Sequence, residues 1–579
     1  MSAVLTPKPL PISRTEFGQF FRRCAPPVGW TRKIAVATSG GPDSTCLLFL
    51  LNRYLRDRFE EWPQSLPGEL HSITVDHGLQ EGSDRMAQKT ADFAAALGVP
   101  HVTCKVPWGE PPFPERPKSG EAFELLGRNV RYRLLFNAMH AMGINALALG
   151  HHVDDQVETS LMRLARGTTE VGAGGMRRVR RWGMGTNRES DLGWTGAEGM
   201  KKWLLRPLLE VSKDRILATC EENQLEYVTD HTNFQPELTL RNAIRYLLSK
   251  NTLDPEEISV ELRPDIADSL SKIKEGIASL ESVDMDISNG TGNLRSAVMI
   301  LSDQAEDIDS LVDTSLNRCH LPSPPGTYLV SYRGLATVND PLVKRGLILR
   351  IMRYVSFHAW GTTRADANRR RESLERIIMN LWTPDPFAAR IAPFVGGGGV
   401  FWTPVLVDSG MRIPVGRPTP RPGEIIGWLA SRQPPMSLVR MTAMGIHNPL
   451  RVDVTDQLHS ALLRRAEEPG QVIELLWDTR FTVRMDVDKI PEELARGILE
   501  EGDEIKIHPN TRWYWPQVIR AGPRLGFEEE VLHSTLSVPE QESIVKLDRD
   551  TIASWPYVRI DRRSTDWIRA EWIRSLSAI

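Results

Sequence analysis

The stretch IAVATSGGPDSTCLLFLLNRYL, from Ile34 to Leu55, constrains this chain more than any other. It opens as an apolar strand pattern and passes through Ser39, Gly40, Gly41, Pro42, Asp43 and Ser44. It then continues as a Leu-rich helical pattern. A strand that leaves through glycines directly into a helix presents bare backbone N–H groups, and the helix dipole adds positive potential there. Such a seam is an anion cradle. Gly40 and Gly41 let the backbone approach closely, Ser39 and Ser44 add hydroxyl donors, and Asp43 can hold a Mg2+ that bridges phosphate oxygens. The loop lacks the Gly-Lys-Ser/Thr ending of the nucleotide-hydrolase P-loop, so no lysine cups a γ-phosphate. A Gly-rich turn that serves only packing is the alternative.

Around this seam the chain alternates. IAVAT, HSITVDH, PHVTCKV and NALALGHH read as strands, with helical patterns over 44–58, 83–97 and 121–142 between them. That alternation predicts an α/β fold, a doubly wound parallel sheet with helices on both faces, over 31–250. Two stretches interrupt it. The Pro-rich 107–120 predicts a loop, and the Gly-rich, polar 180–202 predicts a mobile insertion. A helical middle domain is expected over 251–392 and a small α+β domain, rich in Pro and Gly, over 393–579.

Composition sets the outer bounds. The chain is 41% hydrophobic and 25% charged, as soluble globular proteins are, and no apolar run is long enough to span a membrane. Cys24, Cys46, Cys104, Cys220 and Cys319 are scattered without a C-x-x-C pair, which argues against structural zinc, an iron–sulfur site or a disulfide framework. The net charge of −3 excludes a uniformly basic nucleic-acid binder but leaves room for a local basic face. Residues 1–30 carry Lys8, Arg14, Arg22 and Arg23 against Glu16 alone. They predict a flexible N-terminus, either an organelle transit peptide or an unstructured tail.

Further motifs follow in order. In VDHGLQEGSD, Asp76 and His77 end the second strand, where ligands collect in open α/β sheets. In ELLGRNVRY, Arg128 and Arg131 share a helix face and could neutralise a phosphate or simply face solvent. In LGHHVDDQVETSLMRLARGT, His151, Asp155 and Glu158 fall on one helical stripe beside His152 and Asp154. HHxDD could bind a metal; imidazoles paired with acids also suit positioning of an amine and base work. LLRPLLEVSK spans 204–213. Asp230, Thr232 and Asn233 then form a polar turn leading to Arg241, Asn242 and Arg245.

Ser-Gly-Gly-x-Asp-Ser resembles the pyrophosphate loop of the N-type ATP pyrophosphatases, the PP-loop superfamily. The whole ordered set, SGGxDS, VDHG, E-x-x-x-R-x-x-R-Y, GHHxDDQxET, RPLL and RNxxR over about 32–246, resembles the tRNA(Ile)-lysidine synthase family. That resemblance implies ATP and Mg2+ as cofactors and a CAU-anticodon isoleucine tRNA and free L-lysine as substrates. The wobble cytidine would be adenylated on the oxygen of carbon 2. The ε-amino group of lysine would then displace AMP, giving lysidine and AUA decoding. Another PP-loop tRNA modifier of the 2-thiolation type, or an inactive tRNA-binding relative, are the alternatives.

On that resemblance Ser39 to Ser44, Asp76 and His77 would bind ATP, with Asp43 holding the metal. His151, Asp155 and Glu158 would bind lysine and relieve its ammonium of a proton. Arg131 and Arg245 would stabilise phosphate charge, with Arg128 and Arg241 beside them. The basic residues Arg128, Arg177, Arg178 and Arg241, and Arg350 and Arg353 on the basic helical pattern 342–356, would meet tRNA phosphates. An alternative for Arg350 and Arg353 is an internal ion pair with the acidic 300–313 helix. The Trp-rich C-terminal part and the two insertions imply a eukaryotic, fungal form, and organellar lysidine decoding with the basic N-terminus implies mitochondria, with the cytoplasm as the alternative. Oligomeric state is not legible.

Overall fold

In the computed structural model the described residues are 8–58, 66–79, 82–118, 124–168, 170–186, 190–228, 239–250, 252, 263–285, 290–361, 371–410, 413, 419–510, 513–523, 526, 528–536 and 564–577. The chain divides into two compact units. One comprises Met1–Trp182 and Thr186–Asp307; the other comprises Gly183–Gly185 and Ile308–Ala578.

The first unit contains α1 (Arg14–Arg22), β1 (Lys33–Ala37), α2 (Pro42–Arg58), β2 (Glu69–Asp76), α3 (Ser83–Ala96), β3 (His101–Lys105), α4 (Glu124–Ala141) and β4 (Ala146–Ala148). It continues through α5 (Val153–Leu164), α6 (Glu170–Ala173), β5 (Val179–Arg181), β6 (Trp203–Leu205), α7 (Lys213–Glu222), α8 (Leu240–Ser249), α9 (Pro264–Ala278) and the first part of α10 (Thr291–Cys319). Six strands form one sheet in the order β3-β2-β1-β4-β6-β5, parallel except for β5 against β6. The strands expected from sequence are β1 to β4. Strand periodicity sorts their side chains by face. Ile34, Val36, Ala146 and Ala148 pack with α1, α2 and α7, while Ala35, Leu147 and Leu204 pack with Leu135, Phe136 and Met139 of α4. The predicted doubly wound sheet is present.

Chain order reverses between β1 and β4, whose carboxyl ends lie side by side with Val36 opposite Ala148. Ligands bind at such switch points because the loops leaving the two strands diverge and open a crevice. Both the SGGPDS loop and the GHHVDD turn leave the sheet here.

Three expectations are corrected. The described part of the expected flexible N-terminus, residues 8–30, is folded against the unit, and residues 1–7 lie outside the described residues. Ser13 and Glu16 form a reciprocal cap on α1, and Phe17 and Phe21 are buried against Tyr54 of α2. The 180–202 insertion is a packed connection in its described first-unit part, with Trp182, Ala197 and Met200 buried. The helical middle domain is not one body. Helices α8, α9 and the start of α10 bury Ile244, Leu270, Leu294, Val298 and Leu301 against Leu161 of α5 in the first unit.

The second unit begins within α10. Its five-stranded antiparallel sheet has the order β7-β8-β11-β10-β9, with β7 (His320–Leu321), β8 (Tyr328–Ser331), β9 (Phe394–Gly397), β10 (Val400–Val407) and β11 (Ile425–Arg432). Because β8 pairs with β11, the expected boundary near 392 runs through one sheet. Two smaller antiparallel sheets complete the unit, and Trp477, Trp515 and Trp572 of the Trp-rich tail are core residues. Among the described residues no helix is long and apolar enough to cross a membrane.

Candidate active site

The loop after β1 is braced across itself. Ser39 N–H donates to Ser44 Oγ at 3.1 Å, and that hydroxyl donates to Gly41 O at 3.1 Å. Gly40 has φ +79°, and a Cβ there would stand 2.7 Å from Thr90 Oγ1. The position therefore needs glycine twice over. Pro42 begins α2, where its missing N–H costs no hydrogen bond. Below the loop, Thr38 Oγ1 lies 2.7 Å from Ser72 Oγ and 2.9 Å from Thr74 Oγ1.

The GHHVDD turn after β4 abuts this loop. A Cβ on Gly150 would stand 3.0 Å from Asp43 C and 3.0 Å from Ser44 N. Only glycine lets the two backbones approach so closely. His152 caps α5, its N–H donating to Asp155 Oδ2 at 3.1 Å. Its imidazole lies 3.7 Å from Asp43, 3.5 Å from Asp154 and 3.5 Å from Asp155. Burial alone would lower its pKa, but these carboxylates raise it.

The segment 206–213 ties the turn to the loop. Val153 N–H donates to Val211 O at 2.9 Å, and Lys213 N–H donates to Asp154 Oδ2 at 2.9 Å. The Lys213 ammonium pairs with Asp43. The glycine loop, the histidine turn and RPLLEVSK thus meet around one carboxylate.

Comparison with known proteins bears on this loop. The family described as the PP-loop domain matches residues 11–252. The chain is also similar to tRNA(Ile)-lysidine synthases: that of Bradyrhizobium diazoefficiens is 34% identical over 242 residues, 41% of this chain and 56% of the relative. That of Vibrio campbellii is 34% identical over 207 residues, 35% of this chain and 40% of the relative. The chain spans about half the length of the curated relatives it matches, 56% and 53% for the first two. Among solved structures, a U34-tRNA thiolase from Methanococcus maripaludis aligns at 17% identity and TM-score 0.29, covering 46% of this chain and 80% of that one.

Beside the PP-loop, Asp155 and Glu158 face Arg241 and Arg245 from α8. Arg241 donates Nη2–H to Asp155 Oδ1 at 2.7 Å and Nε–H to Glu158 Oε2 at 2.6 Å. Arg245 donates Nη2–H to Asp155 Oδ1 at 3.2 Å and pairs with Glu158 Oε1. Burial works to raise the Asp155 pKa, yet the neighbouring histidines and arginines hold it well below the usual carboxylate range. This corrects two expectations. Arg241 closes on carboxylates inside the site rather than facing tRNA. Glu158 has a guanidinium on each oxygen and anchors α8 rather than forming an open ammonium cup.

His151 is also unlike the expected base. Its Nδ1 accepts Arg206 Nε–H at 3.3 Å, and its pKa is pushed down to about 3 by burial first and by Arg206 next. It is neutral at ordinary pH. Across the crevice, Asp76 accepts Gly78 N–H at 2.9 Å, and the His77 carbonyl accepts Trp108 Nε1–H at 2.8 Å from the Pro-rich loop. Burial, with Arg131 next, lowers the His77 pKa to about 4. Arg128 and Arg131 are exposed on α4, Arg128 with its guanidinium 5.1 Å from the Tyr132 ring centre. Asp230, Thr232 and Asn233 lie outside the described residues.

The expected tRNA-facing arginines have internal partners. Arg178 is buried against Glu210, Asp303 and Glu306, and Arg177 reaches Ala305 O at 3.4 Å. In the second unit Arg350, 4% exposed, pairs with Asp313 at 2.7 Å and Asp309 at 2.9 Å. Arg353 donates to Ser577 O at 2.7 Å and stacks 4.2 Å from the Trp360 ring centre. The helix Pro341–Val355 thus turns Arg350 inward onto acidic α10, while Arg353 is taken up by the Ser577 carbonyl and the Trp360 ring.

No three His, Cys, Asp or Glu side chains converge as a metal cage among the described residues. Asp43 nevertheless suits Mg2+, which commonly takes one or two protein carboxylates and completes its octahedron with phosphate oxygens and water. The cation already beside it, Lys213, shows that the carboxylate is placed to be neutralised. Gly150, Arg206 and Lys213 are the site residues that sequence reasoning left unassigned. Two of them are the basic residues of RPLLEVSK, and a basic pair opening and closing such a string is the signal that was available.

Proposed function

We propose that the chain is an ATP-dependent tRNA(Ile)-lysidine synthase. The oxygen on carbon 2 of the wobble cytidine attacks the α-phosphorus of ATP, and pyrophosphate leaves. The ε-amino group of lysine then forms a bond to carbon 2, and the C–O bond breaks to release AMP. The observation that carries this reading is the GHHxDDQxET turn seated against the PP-loop through Gly150. It lies inside the PP-loop domain of a chain similar to those synthases.

The roles follow from position. Ser39, Ser44 and the loop amides would hold the phosphates at the start of α2. Mg2+ held by Asp43 would supply charge neutralisation on the phosphate oxygens. Lys213, now on Asp43, would turn to those oxygens once the carboxylate has another cation. Asp155 would bind the lysine ammonium, which must compete with Arg241 and Arg245 for the same oxygen. With its pKa so low, Asp155 orients the ammonium rather than taking its proton. Arg131 and Arg245, the latter 37% exposed in its side chain, would meet phosphate charge in the crevice.

Incubation with CAU-anticodon tRNA(Ile), ATP and lysine should add the mass of lysine less water to one cytidine, with AMP and pyrophosphate formed in equal amounts. A product carrying sulfur, or pyrophosphate release indifferent to lysine and tRNA, would sink the reading. Mitochondrial residence is part of the same proposal and is checked by imaging a tagged full chain. Cleavage that removed α1 would strip Phe17 and Phe21 from the core, so any processed end should lie before it.

A further inference from the structure

We propose that Arg206 is a positioning residue for the transfer reaction: by donating Nε–H to His151 Nδ1 it fixes the imidazole as the Nε2–H tautomer, so that His151 serves as a hydrogen-bond donor to an oxygen of the reacting nucleotide. The inference rests on the proposed function and deepens it.

Arg206 is itself held rigidly. It is 3% exposed, its N–H donates to Arg178 O at 2.8 Å, and its Nη1–H donates to Arg177 O at 2.7 Å. The guanidinium therefore cannot swing away, and it carries no acceptor. A neutral imidazole has one N–H and one bare nitrogen. Since Nδ1 accepts, at 3.3 Å, the hydrogen must sit on Nε2. Among the described residues none hydrogen-bonds to Nε2, which leaves that N–H to a substrate.

The charges facing the ring agree. Arg206 from the end of β6, Arg241 from α8 and Arg128 from α4 oppose a second proton, and Asp155 from α5 favours one. The cations prevail together with burial, so the ring stays neutral. A neutral donor among three guanidiniums, beside the PP-loop, is suited to a phosphoryl or carbonyl oxygen that gains negative charge. It is poorly suited to receiving a proton from an ammonium. The role of Arg206 is thus comparable to that of any residue that sets a histidine's tautomer through its other nitrogen.

The test uses the full chain with nitrogen-labelled histidine. In the wild type the His151 signal, assigned by its loss in His151→Gln, should show a protonated Nε2 and a bare Nδ1 from pH 6 to pH 8. A bare Nε2 or a doubly protonated ring there would overturn the proposal. Arg206→Lys, which keeps the charge, should give a mixed tautomer signal and a transfer rate lower by roughly 10- to 100-fold, the size of losing one charge-assisted donor. The KM for ATP should change little. His151→Gln, which keeps an N–H at the Nε2 position, should retain more transfer activity than His151→Leu. Equal loss in the two His151 variants would overturn the donor role. These outcomes are measured relative to wild-type lysidine formation, so a wild type that makes no lysidine refutes the proposed function, while the tautomer signal still tests Arg206.

Discussion

Two buried groupings of arginine and carboxylate in this chain differ in balance and in access. In the first unit, Asp155 and Glu158 face Arg241 and Arg245, with arginine side chains 23% and 37% exposed. In the second unit, one carboxylate, that of Asp478, takes both Arg432 at 2.7 Å and Arg480 at 2.7 Å, with those arginine side chains 4% and 0% exposed. Arg574 joins them, held by Ser356 O at 3.1 Å and His358 O at 2.5 Å. The first grouping is compensated and open at one side, so its partners can be exchanged by a substrate. The second is sealed, and burial, the leading cause, pushes Arg480 down to about 10 and Arg574 down to about 9. It staples strands and loops together. Arginine content therefore does not mark a nucleic-acid face; exposure and charge balance do.

The largest effect that would test this contrast is at the reacting end. Asp43→Ala should lower pyrophosphate release by about 10^4-fold, because it removes the carboxylate proposed to hold the metal, while tRNA binding and thermal stability stay close to wild type. Near-normal turnover would separate Asp43 from the chemistry. Asp478→Asn should instead destabilise by about 3–5 kcal/mol, since it leaves buried guanidiniums uncompensated. Denaturant titration reads that loss. A merely kinetic defect at unchanged stability would show that the sealed cluster is not structural.

Asp155→Asn should sharpen the comparison inside the open grouping. Adenylated tRNA should still form, whereas transfer to lysine should fall by about 10^2-fold, equal to a lost charge-assisted contact of about 2.7 kcal/mol. Equal loss of both steps would assign Asp155 to the nucleotide instead. A pH titration tests its neighbour Asp154. Burial raises its pKa, but His152, Lys213 and Arg295 bring it from 3.8 down to about 2. A depressed carboxylate stabilises the fold above its unfolded pKa, and that contribution is lost as pH falls from about 4 through about 2. The amount is roughly 2 kcal/mol. Asp154→Asn should flatten the stability profile in that window and nowhere else.

The smallest expected effect is at Arg350. Arg350→Gln should cost about 1–2 kcal/mol, because Asp309 and Asp313 remain partly solvated after losing it. The salt dependence of tRNA binding should not change. A slope reduced by about 1 would restore Arg350 to the phosphate-binding face.

The sequence carried much of the first unit and little of the second. The β1 and β4 strands were readable because residues buried on both sheet faces give unbroken apolar runs; the edge strand β3, none of whose residues is buried, was readable from its β-branched Val102 and Thr103. The glycine loop was readable because backbone geometry demands particular small residues at adjacent positions. Arg350 was misread for the opposite reason. Helical spacing shows which residues share a face but not what covers that face, so an arginine facing Asp309 and one facing solvent look alike in sequence. The N-terminus was misread on charge, while Phe17 and Phe21 held the more decisive information about α1.

By itself the sequence determined the local chemistry: a strand, a glycine turn and a helix that cradle an anion, and a histidine–aspartate turn further along. Local backbone rules suffice there, because each feature spans only a few residues. The tertiary structure alone decided which distant groups meet. It brought Lys213 onto Asp43, Arg206 onto His151 and α8 onto Asp155 and Glu158. Those pairings depend on how β4 and β6 lie beside β1 and on how α8 packs on α5. Such long-range contacts are set by the burial of whole faces, and the identities of the paired residues do not specify them.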